Sequence, residues 1–449
     1  MAPPKFDEWF SQHRISEVEC LVPDMGGTAR GKILPANKFL KGNRSKGLRL
    51  PEEIFTLTVT GRYVQDTEAV SDSAIDVYMQ PDLETARLVP WYSEPTAQVI
   101  CDCFHLNDEP VDISPRHVLK RVLKLYKDEG WRPIIAPELE FYLVKKNVDP
   151  DYPLEAPLGR SGRKEAGGQA YGIDAANDFD PVVEDIYDYC EAQELDVDTL
   201  SHESGPAQLE INFNHGDPLE LADQVFMFKR TVRQAALKHD MYATFMAKPH
   251  ANEPGSSMHL HQSVVDSKTG RNIFAGRDGK PSKLFLNHIG GLQRYLGGAL
   301  PLMAPNVNSY RRLVPESDAP TNVHWAIDNR TVSLRVPQSD PGNMRVENRV
   351  PGADANPYLA FAASLACGYL GMKERIKPTE PVTGSAYRYA HTLPINLEEA
   401  VNKLNYTKSL KQVFGERFVE AFQDVKFEEM QQYRKVISSW EREFLLLNV

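Results

Sequence analysis

An α+β architecture is predicted from three observations. Residues 15–105 hold short β-like runs, among them EVECLVPD, IFTLTVTG and TAQVICDCF, punctuated by Gly and Pro. The texture changes at Ser114-Pro115, an N-cap residue followed by Pro at the first helical position, after which Val118, Leu119, Val122, Leu123 and Tyr126 recur at helical spacing. Beyond that point helical patterns alternate with strand-like segments, several of which carry polar residues two apart. The chain therefore divides near residue 110 into a small N-terminal β-rich domain (1–110) and a larger C-terminal α/β domain (111–449).

Each element has its own justification. Helical periodicity predicts helices over 114–129, 181–193, 218–239, 283–300, 356–374, 409–422 and 427–444. The segment DPDYPLEAPLGRSGRKEAGG (149–168), rich in Gly, Pro and charge, reads as a long surface loop, a length that often accompanies function. At 449 residues the chain exceeds an ordinary single core, and 41% hydrophobic with 25% charged residues is a normal globular balance. A formal net charge of −11, with no Lys/Arg-rich run, excludes a nucleic-acid partner. No apolar run approaches a membrane span, and the first twenty residues lack the pattern of a signal peptide. The five cysteines are scattered, and Cys101-x-Cys103 falls in an apolar run that reads as a strand rather than a metal site. A cytoplasmic protein with reduced thiols is expected.

Four strand-like segments carry the chemistry. Residues two apart on a strand share a face. In PELEFYL, Glu138 and Glu140 oppose Leu139 and Phe141; in AQLEINFN, Glu210, Asn212 and Asn214 oppose Ile211 and Phe213. In SMHLHQS, His259 and His261 oppose Met258 and Leu260; in MRVENRVP, Arg345, Glu347 and Arg349 oppose Val346. Glu203 lies just ahead of the second of these strands. Any one such strand reads as an amphipathic strand with a solvated face. Together they offer carboxylates and imidazoles for a hard divalent cation such as Mg²⁺ or Mn²⁺, with arginines suited to carboxylate and phosphate. That combination points to metal-assisted phosphoryl transfer. No Gly-x-x-x-x-Gly-Lys-[Ser/Thr] or Gly-x-Gly-x-x-Gly is present, so neither a P-loop nor a Rossmann dinucleotide site is supported.

PELEFYL, HESGPAQLEINF, FMAKPHANEPGSSMHLHQS, NSYRRLVP, DNRTVSLRVP and RVENRVPGADANPY resemble, in order and spacing, the signature segments of glutamine synthetases, over roughly residues 15–440. The resemblance implies two metal ions, Mg²⁺ or Mn²⁺. Glu140, Glu203 and Glu210 would hold one; Glu138, His259 and Glu347 would hold the other, next to the phosphates of ATP. It implies that Arg312 and Arg349 clamp glutamate, with Gly255 lining that site, and that Arg330 reaches the transferring phosphoryl group. Arg335 and Arg345 would face the nucleotide phosphates, with His261 and Ser263 near the nucleotide. Arg335 has the alternative of a structural ion pair, and His202 that of a supporting residue beside Glu203. The activity implied is phosphorylation of the glutamate γ-carboxylate by ATP, followed by attack of an amine on γ-glutamyl phosphate. The resemblance further implies a β-grasp-like N-terminal domain, a catalytic domain whose antiparallel sheet carries the metal site, and active sites shared between subunits. The family's usual bacterial assembly is two stacked hexameric rings, and the apolar tail Phe444–Leu447 suits a contact between rings or packing on its own subunit.

The departures concern the amine. Ammonia users of the family carry an Asp in the first domain where this chain has Pro51, and a flap Glu where it has the shorter Asp318, within Val314-Pro315-Glu316-Ser317-Asp318. Pro254 also stands where an Asn is usual. This pattern is similar to that of γ-glutamylpolyamine and related γ-glutamylamine synthetases. Asp318 is the expected proton acceptor for the attacking amine, Trp91 a possible wall for an alkyl chain, and Glu52 or Glu53 either a contact for a distal ammonium or a solvated loop residue. An ammonia-using glutamine synthetase and a catalytically silent family member are the alternatives; a silent member would have lost metal ligands, and all six are present.

Overall fold

Two strands buried on both faces organise the first sheet. β1 (Glu17–Pro23) is buried at every residue after Glu17, and β6 (Thr96–Phe104) at every residue before Phe104. Near-continuous apolar runs of this kind belong at the centre of a sheet. They pair in parallel, with Cys20 opposite Val99. β2 (Ala29–Pro35), β3 (Arg49–Pro51), β4 (Asp76–Pro81) and β5 (Arg87–Val89) complete the sheet in the order β2-β1-β6-β4-β3, with β5 also on β6. Helices α1 (Phe6–Gln12) and α2 (Ala36–Gly42) accompany it. The computed structural model describes residues 6–42, 46–65, 67–71, 73–315 and 318–449. Glu316 and Ser317 of the expected flap segment lie outside the described residues.

The second sheet is built from β7 (Trp131–Lys145), β8 (Val197–His202), β9 (Gln208–Phe213), β10 (Met241–Thr244), β11 (Met258–Asp266), β12 (Trp325–Ile327), β13 (Leu334–Val336) and β14 (Val346–Asn348). The order is β12-β13-β14-β11-β7-β9-β8, with β10 on the far end of β7. Every pair is antiparallel except β12 with β13. One face is apolar: Leu139, Phe141, Ile211, Phe213, Met258 and Leu260 are all buried. α3 (Pro115–Asp128), α6 (Pro218–Lys238) and α8 (Pro357–Glu374) pack on this sheet. The opposite face is left for the site.

Around this frame run α4 (Ile173–Asn177), α5 (Asp180–Ala192), α7 (Lys283–Ala299), α9 (Leu397–Tyr406), α10 (Lys408–Phe414), α11 (Glu416–Tyr433) and α12 (Ser439–Leu445). The C-terminal helices differ from expectation. The helix expected over 409–422 is divided at Gly415, whose φ of 94° ends α10. A Cβ there would also meet Arg121 Nη1 at 2.5 Å. α11 then runs straight through the gap expected between 422 and 427, and the chain breaks again before α12. α9 was hidden by its short, mixed-charge sequence LEEAVNKLNY; it is capped by Asn396, which accepts from Glu399 N. Ser114 sits at the N-terminus of α3 in extended backbone as expected, but its hydroxyl makes no capping bond.

Arg116 ties the two sheets together. Its guanidinium donates to Asp102 of β6 (2.9 Å), to Asp82 after β4 (2.7 Å) and to Asp223 of α6 (2.8 and 3.0 Å). A planar donor fork satisfied on three sides is the arrangement that lets a charge sit in a core. The apolar core runs without a break from Phe10 to Met430. All five cysteines are buried free thiols, and Cys101 and Cys103 lie in β6, as the apolar run predicts. No helix among the described residues is long and apolar enough to cross a membrane.

Candidate active site

Register brings the polar residues together. Along the sheet from β14 to β9, Glu347 lies opposite His261, His259 opposite Glu138, Glu138 opposite Asn212, and Glu140 opposite Glu210. Directly opposed side chains on one face are close enough to interact, and like charges in such pairs are destabilising. Two clusters result, each with ligand atoms within 4.8 Å of one another: Glu138 with His259 and Glu347, and Glu140 with Glu210 and His259. Glu203 stands outside the second cluster but lines the same cavity, on the loop that follows β8.

The two ends of this row differ in charge balance. At the β14 end, His261 Nε2 is 2.8 Å from Glu138 Oε1, and Glu347 accepts from Arg335 and Arg349, both at 2.8 Å. Burial pushes the Glu138 carboxyl up, but the bonds from His259 and His261 outweigh it and hold it below its ordinary value. Burial likewise opposes ionisation of Glu347, and His259 and Arg349 overcome it. At the β9 end there is too little positive charge. Burial, then repulsion from Glu140 and Glu138, pushes Glu203 up to about 7. Burial, then Glu138 and Glu140, pushes Glu210 up to about 9.

This imbalance is the fit test for a cation. The donors are carboxylate oxygens with one imidazole and no thiolate, the set that suits Mg²⁺ or Mn²⁺. Crowded carboxylates that resist ionisation when bare are what a divalent ion would neutralise. The residues present therefore fit a bound metal.

A cavity of about 410 Å³ opens over the cluster. Glu138, Glu140, Glu203, Glu210, His259 and Glu347 line it, and so do Gly255, Arg312, Asp318, Arg330, Arg335 and Arg349. Arg312 is buried and donates to the carbonyls of Arg349 and Val350, both at 2.9 Å; burial lowers it to about 10. Gly255 is a glycine because a Cβ there would meet Ala247 O at 2.6 Å and Arg312 Cγ at 2.7 Å. Arg335 and Arg349 line the cavity, and each has a buried Nε without a hydrogen-bond partner. Arg335 also bonds Asp328 at 3.3 Å, so it is both an ion-pair partner of Glu347 and a cavity residue. Asp318 has a φ of 57°, a conformation unusual for a residue with a side chain.

His261, Ser263 and Arg345 face elsewhere. They line a second cavity, of about 690 Å³, that shares only Glu138 and Asn212 with the first. Arg345 Nε donates to His261 Nδ1 at 3.1 Å, which fixes the proton of the neutral ring on Nε2, toward Glu138. The predicted residues thus divide into a carboxylate-and-arginine chamber and an adjoining one that holds His261, Ser263 and Arg345, with Glu138 between.

Several supporting residues escaped the sequence reading. Ser257 donates both its N–H (2.8 Å) and its hydroxyl to Glu140, and Gln208 bridges Glu140 (3.3 Å) and the Gly255 carbonyl (3.0 Å). Both lie two residues from a named ligand on the same strand face, so the alternation that found Glu210 and His259 reaches them as well. Tyr171 lines the first cavity from a loop, at φ 61°, with no periodic signal to find it. His202 does not line the cavity; its Nδ1 is 2.7 Å from the Glu203 carbonyl oxygen. Glu52 is neither a solvated loop residue nor open to a ligand. It is buried and paired with Arg417 at 2.6 Å. Trp91 packs against Tyr189 and Arg230 and lines neither cavity of its own chain.

Residues 112–445 match the family model described as "Glutamine synthetase, catalytic domain". Glutamate–isopropylamine ligase of Pseudomonas sp is 34% identical over 446 residues, covering 97% of this chain and 96% of that protein. Gamma-glutamylputrescine synthetase PuuA of Escherichia coli (strain K12) is 33% identical over 440 residues (96% and 92%), and glutamine synthetase of Pyrococcus woesei 33% over 464 residues (98% and 97%). A solved GmaS/ADP complex superposes with a TM-score of 0.85 at 27% identity, covering 98% of this chain and 99% of that one. Fold, site and relatives together define an ATP-dependent carboxylate–amine ligase. The chain belongs to the glutamine synthetase family.

Proposed function

We propose that the protein joins the γ-carboxylate of glutamate to an alkyl amine or polyamine, through γ-glutamyl phosphate. The choice of amine rests on two departures from the ammonia users of the family, at Pro51 and at Asp318. Pro51 ends β3 where ammonia users of the family have an Asp, and the neighbouring Glu52 is committed to Arg417. Two of the relatives named above are ligases for isopropylamine and putrescine.

Two divalent ions, Mg²⁺ or Mn²⁺, would supply charge neutralisation for ATP and glutamate. Glu138, His259 and Glu347 would hold one; Glu140, Glu203 and Glu210 the other. Arg312 and Arg349 hold the glutamate carboxylates beside Gly255, and Arg330 meets the γ-phosphoryl group as it passes to the γ-carboxylate oxygen. Arg335, Arg345, His261 and Ser263 receive the nucleotide, the last three in the adjoining cavity. The amine nitrogen then attacks the acyl carbon, phosphate leaves, and Asp318 takes the proton the nitrogen sheds.

The site is completed by a second subunit. All residues lining the first cavity fall within 138–349, so none comes from the first sheet of the same chain. A neighbour's N-terminal region would close the amine side, as two stacked hexameric rings allow. The exposed side chains of Trp440, Phe444, Leu446 and Leu447 support a contact of the tail with another chain rather than its own. The parallel β1/β6 pair supports a β-grasp-like N-terminal domain over 1–110. The second sheet, drawn wholly from residues after 130, supports a catalytic domain over 111–449. Five reduced thiols support a cytoplasmic location.

Phosphate release with glutamate, ATP and Mg²⁺ across putrescine, cadaverine, spermidine, isopropylamine and ammonium tests the reading. An alkyl amine should exceed ammonium at equal concentration. Glutamine synthetases match this chain at similar identity, so ammonium as the best acceptor would make it one of them.

A further inference from the structure

The long loop 149–168 and the residues that follow it end against the turn that carries Glu203. Four contacts fasten them there. Glu165 Oε2 accepts from the N–H of Ala207 at 2.7 Å and lies 3.1 Å from His202 Nε2. The other nitrogen of the same ring, Nδ1, meets the Glu203 carbonyl oxygen at 2.7 Å. Tyr171 N–H donates to the His202 carbonyl at 2.9 Å. Gly168 approaches so closely that a Cβ would meet Ser204 O at 2.6 Å.

The turn needs such fastening. Ala207 has a φ of 55°, a left-handed conformation that costs a residue with a Cβ roughly 1 kcal/mol or more unless its surroundings hold it. From the other side Tyr142 presses on Gly205, where a Cβ would meet the phenol oxygen at 2.0 Å. Glu165 is the side chain that grips both ends of the turn, His202 before Glu203 and Ala207 after it. Its own carboxylate is nearly buried, and its Oε1 has no hydrogen-bond partner. A buried carboxylate with a spare oxygen is a costly surface ornament and a reasonable clamp.

We infer that Glu165 is a positioning residue for the metal centre: through His202 and Ala207 it sets where Glu203 presents its carboxylate. It also couples that ligand to the loop bearing Tyr171, which lines the same cavity. This rests on the assignment of Glu203 as a metal ligand. Outer partners of this kind typically change metal affinity or activity by about 10- to 100-fold when removed.

The experiment is Mn²⁺ binding to the full-length protein, read from the free-ion EPR signal without turnover, for wild type and for Glu203→Gln, Glu165→Gln and Glu165→Ala, with melting temperatures measured alongside. Glu203→Gln should lose one class of Mn²⁺ site. Glu165→Ala should weaken that same class by about 10- to 100-fold, and Glu165→Gln, which keeps an acceptor for Ala207 N–H, should recover most of the loss. If Glu203→Gln binds Mn²⁺ like wild type, the ligand assignment fails and the inference with it. If Glu203→Gln loses a site while folded Glu165→Ala binds like wild type, the ligand stands and the positioning role is overturned. If Glu165→Ala does not fold, Glu165→Leu, which keeps the bulk and removes both acceptor oxygens, takes its place and is read the same way. A Gln variant that folds but binds Mn²⁺ no better than Glu203→Gln also overturns the inference, because the shape-preserving change should retain the site.

Discussion

Replacing Glu210 by glutamine separates the charge of the site from its shape. Glu210 lies in register with Glu140, and burial with repulsion from Glu138 and Glu140 raises it from 4.5 to about 9. A carboxyl whose folded value is raised contributes stability that is fully present below its unfolded value. That stability is lost as the pH rises through the folded one. Between 4.5 and pH 7.5 roughly three units of that loss accrue in the metal-free protein. At about 1.4 kcal/mol per unit the upper bound is about 4 kcal/mol. Glutamine keeps the size and cannot titrate. In EDTA, Glu210→Gln should therefore melt close to wild type near pH 5 and above it at pH 7.5. Added Mn²⁺ should raise the wild type at pH 7.5 far more than the variant, and the variant should not release phosphate. Differential scanning fluorimetry of both proteins over that pH range, with and without Mn²⁺, reads the melting, and a phosphate-release assay reads the activity. A variant that melts below wild type in EDTA at pH 7.5, or that gains as much from Mn²⁺, would refute the view of Glu210 as an uncompensated ligand.

Three further outcomes are expected. Glu140→Ala should abolish phosphate release with little change in melting, whereas Glu347→Ala should also cost about 3–5 kcal/mol by leaving Arg335 and Arg349 without their buried partner; circular dichroism melts beside activity separate the two. Removing residues 436–449 should halve the mass seen by light scattering if the exposed apolar tail joins two rings, with Leu447, 90% exposed, the most open of the leucines there. Pro51→Asp should shift acceptor preference toward ammonium in the amine panel, and an unchanged ratio would move the source of specificity elsewhere.

The residues of the site were legible because a strand converts sequence spacing into direction. Glu138 with Glu140 and His259 with His261 had to share faces, and the structure places them so. The same rule reaches Ser257 and Gln208, which are polar, on the right face and two residues from a ligand. Glu165 and Tyr171 had no such rule, because loop residues point where the backbone of that one loop sends them. Glu52 shows the opposite failure: an acidic residue beside Pro reads as solvated until Arg417, 365 positions later, is found against it. The C-terminal helices were misdivided for a local reason. Periodicity ran on through Gly415, whose positive φ ends one helix and starts the next, at a position where Arg121 leaves no room for a Cβ.

The sequence by itself determined the four strands with polar residues two apart, the faces those residues share and the donor types, because alternation and side-chain chemistry are local properties. The tertiary structure alone decided the register that sets Glu140 against Glu210 and Glu138 against His259. It also decided the split of the candidate residues between two cavities, and the strained turn held at Ala207. Those are relations between residues tens to hundreds of positions apart, and they exist only once the sheet has paired and the core beneath it has fixed which strands are neighbours.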